Sequence, residues 1–316
     1  MPMKKFLRDS LRLTRPRQWI KNFAVFAAIT FSGQLFQSNL FITVLVGFFV
    51  FCAMSSAIYV INDIFDIEKD KLHPFKRFRP LANGDITVSV AMLIAGGLIV
   101  ISLLGSFSIS GAFFLLALVY LCLQLSYSIF LKHIAVIDIL ALAAGYILRV
   151  YAGEIISGFH ISAWLLLTTI SLSLFLAIGK RRSELTLISG HTAQQIAATR
   201  KSLSHYSERL LDVYASIFAT STFLSYALFT FLENPHGIPI SNDLLLSDFL
   251  PVSFQRKWLM ITIIPVVYGL MRYLQDIYEK HEGESPEKVL LSDKPLLGTI
   301  ILWSFLVILI IYFFRA

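Results

Sequence analysis

Three aspartates at the end of an apolar run carry the first chemical signal in this chain. The segment Asn62-Asp63-Ile64-Phe65-Asp66-Ile67-Glu68-Lys69-Asp70 follows the run Leu40 to Ile61 directly. If that run continues as a helix, Asp63, Asp66 and Asp70 fall at i, i+3 and i+7 and share one face. A solvated helix end is the plain reading of such carboxylates, but they face an unfavourable helix C-terminus and repel one another. A divalent cation between them, Mg²⁺ carrying a phosphorylated substrate, removes the conflict. Lys76, Arg77 and Arg79 come next, closed by Pro80. They serve either as a topology signal or as phosphate contacts, and carboxylates for metal beside cations for phosphate make a diphosphate site. Asn62 is placed to orient a ligand or to cap a carbonyl.

A second charged cluster, Lys180-Arg181-Arg182-Ser183-Glu184, ends a later apolar run. Lys180 and Glu184 at i, i+4 fit a surface ion pair, and Glu184 equally fits a second metal ligand. Lys180 and Arg181 are candidate phosphate contacts. Asp138 and Arg149 lie within one apolar run, eleven residues and ~16 Å apart along a helix, on a shared face. That distance forbids a direct pair, so each needs another partner: substrate or a neighbouring cluster. Tyr127 and Lys132 end a further run; Tyr127 fits an interfacial belt as well as a site.

The elements that must position these groups are membrane helices. Of 316 residues, 56% are hydrophobic and only 15% charged, with a mean hydropathy of +0.72. This excludes an ordinary soluble domain. Nine runs approach the ~20 residues that a bilayer demands: 20–36, 40–61, 87–109, 111–131, 134–156, 161–179, 211–232, 258–275 and 296–314. The first is short, and Pro265 interrupts the eighth. The sequence predicts no cleaved signal peptide, and a single integral-membrane domain over 1–316.

Basic residues crowd the N-terminus (Lys4, Lys5, Arg8, Arg12, Arg15, Arg17 and Lys21), the 62–86 loop and the 180–210 loop. The opposite loops carry few, chiefly Arg256 and Lys257. This asymmetry predicts a cytoplasmic N-terminus, with 62–86, 180–210 and 276–295 as cytoplasmic loops and the C-terminus outside. An amphipathic helix is expected over Thr192–Tyr206, and an external connector over 233–257. No nucleic-acid motif accompanies the basic residues, which argues against a nucleic-acid partner. Cys52 and Cys122 lie in apolar runs and predict no disulfide. The seven histidines lack zinc spacing, and His73, between Asp70 and Lys76, reads as interfacial. There is no G-x-x-x-x-G-K-[ST] loop, dinucleotide fingerprint or HExxH.

Asn62–Asp70 resembles the N-D-x-x-D-x-x-x-D motif of the UbiA superfamily of intramembrane prenyltransferases. The resemblance runs from about Arg15 to Asp293. It is strongest to the decaprenyl-phosphate phosphoribosyltransferase branch. That likeness is carried by Arg15-Pro16-Arg17-Gln18-Trp19-Ile20-Lys21-Asn22, by His73-Pro74 through Lys76-Arg77-Phe78-Arg79-Pro80, and by Asp138 with Gly145 and Leu148-Arg149. Gly179-Lys180-Arg181 with Glu184, and Arg200-Lys201-Ser202-Leu203 with Tyr206, also match. Where ubiquinone-type relatives carry a second D-x-x-x-D, this chain has Lys180-Arg181-Arg182-Ser183-Glu184, an exchange that favours a second anionic substrate.

The resemblance implies an all-α polytopic bundle of about nine membrane helices, with its site at the cytoplasmic face of a bacterial inner membrane. It implies Mg²⁺ on Asp63, Asp66 and Asp70, a phosphoribosyl diphosphate donor and a polyprenyl phosphate acceptor. Lys21, Arg77, Arg79, Lys180 and Arg181 are then the phosphate-holding candidates, with Asn62, Lys76, Tyr127, Lys132, Asp138, Arg149 and Glu184 around them. An oligomer is compatible with this reading. The rivals are an aromatic prenyltransferase of the same fold and a transporter of phosphorylated lipids or organic anions.

Overall fold

The computed structural model describes residues 3–72, 76–187, 201–232, 258–279 and 286–314. All regular structure among them is helical, without strands. The expectations for His73, for most of Thr192–Tyr206, and for the 233–257 connector fall outside the described residues. Eight helices are long and apolar enough to cross a bilayer, and the protein is an integral membrane protein. In chain order the elements used below are α1 (Met3–Leu13), a 3-10 segment (Pro16–Phe26), α2 (Ala27–Phe31), α3 (Ser38–Phe65), α4 (Ile67–Leu72), α5 (Val88–Ile109), α6 (Gly111–Ile129), α7 (Ile137–Ser157), α8 (Ala163–Leu187) and α9 (Glu208–Leu232). Trp258–Tyr278 and Lys294–Phe313 complete the eight long apolar stretches.

The expected first span, 20–36, is not one α-helix. It is the 3-10 segment followed by the five residues of α2. Arg15 precedes it with φ 50°, Pro16 opens it, and Gly33 follows with φ 74°. The segment still runs antiparallel to α3. Gln18 Oε1 accepts from Tyr59 Oη at 3.3 Å, and Trp19 Nε1 donates to Ser56 Oγ at 3.0 Å. Asn22 reaches Ser55, and Phe26 stacks near Phe48 and Phe41. Gly153 of α7 explains the unusual geometry. A Cβ built there would sit 2.0 Å from the Val25 carbonyl oxygen, so the segment's backbone rests directly on the glycine.

The apolar faces sort into buried clusters. One joins Val25, Ile29, Phe51, Phe113, Tyr120 and Ile156. Another joins Phe175, Ile178, Leu211, Tyr273 and Ile277. Because lipid tails are as apolar as leucine, close helix approach in a membrane relies on packing and interhelical polar bonds. Between α8 and α9, Thr168 bonds Ser225 at 3.1 Å and Ser171 meets Ser221 at 2.8 Å. Tyr226 likewise ties Thr262 and Trp303.

Several expected boundaries shift. α3 continues through Phe65, so Asn62, Asp63, Ile64 and Phe65, the first four residues of the motif, are membrane-helix residues and not loop. α8 continues to Leu187, placing Lys180, Arg181 and Glu184 on a helix.

Candidate active site

The helix that should have carried all three aspartates breaks at the middle one. Asp66 caps α3 with φ −98° and ψ 6°, and α4 starts at Ile67. Hydrogen bonding bridges the break. Asp66 N–H donates to Asn62 O at 3.0 Å and Asp70 N–H to Asp66 O at 2.8 Å, so the three carboxylates stay on one side. Each meets a cation. Asp63, 2% exposed, is bonded by Arg15 and by Arg79 at 3.1 Å. Arg79 also bonds Asp70 at 2.5 Å. Lys132 bonds Asp66 at 3.1 Å, with Asn62 Nδ2 on the other oxygen at 3.1 Å.

These groups border a cavity of about 410 Å³, within the range of small-molecule sites. Of the expected residues, Lys21, Asn62, Asp66, Asp70, Lys76, Arg79, Tyr127, Arg149, Lys180 and Glu184 line it. Asp63 and Lys132 stand one contact behind, through Arg15, Arg79 and Asp66. Arg77 does not line it; its guanidinium lies 4.8 Å over the Phe78 ring. Arg15, Gln18, Tyr59, Gln124, Ser128 and Tyr146 line it without having been singled out as site residues. One signal did mark Arg15: it opens the Arg15–Asn22 stretch that carries the family resemblance.

Arg181 departs most from expectation. In place of a cavity-facing phosphate contact, its side chain is wholly buried. Its Nε lies 2.7 Å from Asp138 Oδ2, an ion pair off the hydrogen-bond line. Nη1 bonds Glu184 at 2.5 Å and Nη2 bonds Tyr127 Oη at 2.8 Å. Asp138, also fully buried, accepts from Ser202 at 3.1 Å and from Tyr206 Oη at 2.7 Å. Burial pushes the Tyr206 hydroxyl up in pKa, and its bond to Asp138 adds to this, so it stays a donor. The partner that Asp138 needs is thus the second charged cluster, and Arg181 holds Tyr127 and Glu184 against the cavity. Breaking a buried pair costs about 3–5 kcal/mol. Arg181→Gln should therefore lower thermal stability in detergent sharply, measured as loss of monodisperse protein on heating. A phosphate-contact role alone would leave stability untouched.

Arg149 finds its partners in the first segment, in α6 and in its own helix α7. Nε donates to Asn22 Oδ1 at 2.7 Å, Nη1 to Gly145 O at 2.6 Å and Nη2 to Tyr120 Oη at 2.6 Å. Tyr120 and Tyr146 flank the guanidinium at 5.0 and 5.5 Å. Three of its five N–H groups are so engaged, which fixes the fork's direction at the cavity floor. Gly145 keeps the wall open: a Cβ there would meet Gln124 Nε2 at 2.5 Å.

The lining carries six cations (Arg15, Lys21, Lys76, Arg79, Arg149, Lys180) against three acids (Asp66, Asp70, Glu184), a formal balance of 6 − 3 = +3. Among the described residues, no group of three or more His, Cys, Asp or Glu is gathered closely enough to hold a metal alone.

An all-helical membrane bundle with carboxylates and excess cations around one polar cavity defines a class of intramembrane proteins that handle anionic substrates. The family model described as "UbiA prenyltransferase family" matches residues 22–292. The chain belongs to the UbiA prenyltransferase family. Two relatives are named decaprenyl-phosphate phosphoribosyltransferase. That of Corynebacterium glutamicum is 35% identical over 98% of this chain and 89% of its own. That of Mycolicibacterium smegmatis is 36% identical over 99% and 95%. A solved UbiA homologue from Archaeoglobus fulgidus, bound to GPP and Mg²⁺, shares the fold with a TM-score of 0.67 at 20% identity, covering 95% of this chain and 99% of that one. The resemblance read from Asn62–Asp70 and from Arg15–Asn22 is borne out.

Proposed function

We propose that the protein is a membrane transferase that moves the 5-phosphoribosyl group from phosphoribosyl diphosphate to a polyprenyl phosphate and releases diphosphate. The observation that carries this reading is the cavity's charge: +3 in its lining suits two phosphorylated substrates better than one with a neutral acceptor. The names of the relatives at 35 and 36% identity support the same transferred group and acceptor class.

In this reading an oxygen of the lipid phosphate attacks C1 of the ribose, and the C1–O bond to diphosphate breaks with its electron pair leaving on diphosphate. A phosphate monoester anion is already a nucleophile, so no protein base is needed. Lys21, Arg149 and Lys180 bind and orient phosphate oxygens. Lys76 and Arg79 neutralise charge at the mouth, and Tyr127 and Tyr146 shape the wall. Arg15, Lys132, Asn62, Asp138, Arg181 and Glu184 hold the charged groups in place. Positioning and preorganised charge supply most of the acceleration.

The donor set fits Mg²⁺. Asp66 and Asp70 offer hard oxygens at the cavity wall, Asp63 backs them, and Mg²⁺ favours one or two carboxylates completed by substrate phosphate and water. Such an ion would neutralise charge on the departing diphosphate. The mouth faces the cytoplasm of a bacterial inner membrane, where the basic loops lie, and the chain acts as one membrane domain.

Donor binding tests the charge argument. A charge-assisted hydrogen bond is worth about 1.5–3 kcal/mol. Lys180→Gln should weaken the thermal protection given by phosphoribosyl diphosphate with Mg²⁺ about tenfold or more in concentration. Undiminished protection would remove Lys180 from the phosphate contacts.

A further inference from the structure

The N-terminal basic residues are only partly used by the site: Arg15 and Lys21 line the cavity, while Lys4, Lys5, Arg8 and Arg12 lie on α1. We propose that α1 is an in-plane membrane-surface helix that binds acidic phospholipid headgroups.

The helix divides into three sectors. At 3.6 residues per turn, and taking Asp9 as zero, Leu13 stands at about 40° and Phe6 at about 60°. This sector docks on the bundle: Asp9 and Leu13 are each 1% exposed. Leu13 packs among Val60, Leu81 and Ile86, beside the end of α3 and the turn before α5. Met3, Leu7 and Leu11 follow at about 120°, 160° and 200°, and are 72%, 60% and 58% exposed. Lys4, Arg8, Arg12 and Lys5 complete the circle at about 220–320°. Docking, apolar and basic sectors are thus each about a third of a turn apart.

That order is what a helix needs when it lies flat where membrane helices end, with protein on one flank. Its apolar stripe enters the acyl boundary and its basic side meets the headgroups. The one acid of α1, Asp9, is buried against the bundle, 3.5 Å from Arg8 Nε and 4.0 Å from Arg12, and both guanidinium side chains stay mostly exposed beside it. The outer basic sector therefore carries no carboxylate of its own helix. Lys5 adds a fixed point, bonding Asp85 at 2.8 Å in the turn before α5. Charge complementarity commits the occupant to anionic lipid rather than a neutral surface. Two residues beyond the end of α1 stands Arg15, which bonds Asp63 and lines the cavity. Seating α1 on the bilayer thereby fixes the origin of a site cation.

The test uses the full chain in lipid nanodiscs prepared with one copy and, separately, with two copies per disc. Cys52 is buried, and Cys122 is replaced by serine. A nitrobenzoxadiazole label is placed at Leu7→Cys and, separately, at Leu11→Cys. Discs contain phosphatidylcholine alone or with phosphatidylglycerol, with tails brominated near the headgroup. The label should be quenched by brominated lipid and protected from aqueous dithionite in the acidic discs, and less so in neutral ones. Replacing Lys4, Arg8 and Arg12 together by Gln should reverse the gain; surface basic residues are each worth roughly fivefold in partition. Full dithionite access in both lipids would overturn the proposal. So would equal protection in both lipids that the triple variant leaves unchanged. Protection that appears only when two copies share a disc would assign the stripe to a second copy and overturn it too.

Discussion

Asp66→Asn is expected to lower turnover by more than about 100-fold while the protein keeps its thermal stability. Supporting groups around a metal typically cost 10–100-fold when changed, and Asp66 is here proposed as a direct ligand at the cavity wall. Its exposure, its single ammonium partner Lys132 and its hydrogen bond from Asn62 make the exchange sterically mild. Asp63→Asn should also lose turnover but with a loss of stability. Asp63 is 2% exposed and receives two guanidinium groups, which would be left without their counter-charge. Asp70 belongs with them: it lines the cavity and bonds Arg79. Turnover assayed with melting in detergent separates the cases. Wild-type turnover in Asp66→Asn would remove the metal assignment.

Gly153→Ala should be among the most destabilising single substitutions in the chain. The added Cβ would lie 2.0 Å from the Val25 carbonyl oxygen and 2.8 Å from its carbon. Both obstacles are backbone, so no side chain can swing aside. Relief requires lifting the Pro16–Phe26 segment from α7, and with it Asn22 from Arg149. Overpacking a tight core costs about 1–3 kcal/mol and more when backbone must move. The expected result is poor yield of folded protein and a large drop in melting temperature. Gly47→Ala is the comparison. Its new Cβ meets the tip of Ile156 at 2.3 Å, a flexible side-chain end, and should cost less. Equal stability of Gly153→Ala and the parent would contradict the packing described for the first segment.

The sequence spoke most clearly where one pattern had one cause. Apolar runs of bilayer length marked eight helices, because nothing else accommodates them. The ninth, 20–36, kept its place but not its form. The reason lies in Gly153, more than a hundred residues away, and no local pattern reports such an approach. The aspartate spacing correctly grouped Asp63, Asp66 and Asp70 but missed the break at Asp66, whose cap geometry only the fold supplies. Arg181 is the sharpest lesson. A basic residue at a membrane edge looks like a phosphate contact; that it is a buried strut depends on Asp138, placed opposite it by packing of α7 on α8. Conversely, the expectation that Asp138 pairs with a neighbouring cluster pointed the right way, since the cost of unpaired charge in a membrane holds whatever the fold, whereas Arg149 is held by the neutral groups of Asn22, Gly145 and Tyr120.

The central claim is the pairing of a ribosyl donor with a lipid phosphate, and product mass tests it most directly. Purified protein in lipid nanodiscs is supplied with Mg²⁺, phosphoribosyl diphosphate and a long polyprenyl phosphate, and in parallel with an isoprenyl diphosphate and an aromatic acid. The first mixture should yield a polyprenyl-phosphoryl phosphoribose with one diphosphate released per lipid formed, and the second nothing. A prenylated aromatic from the second mixture, with no ribosylated lipid from the first, would contradict the account.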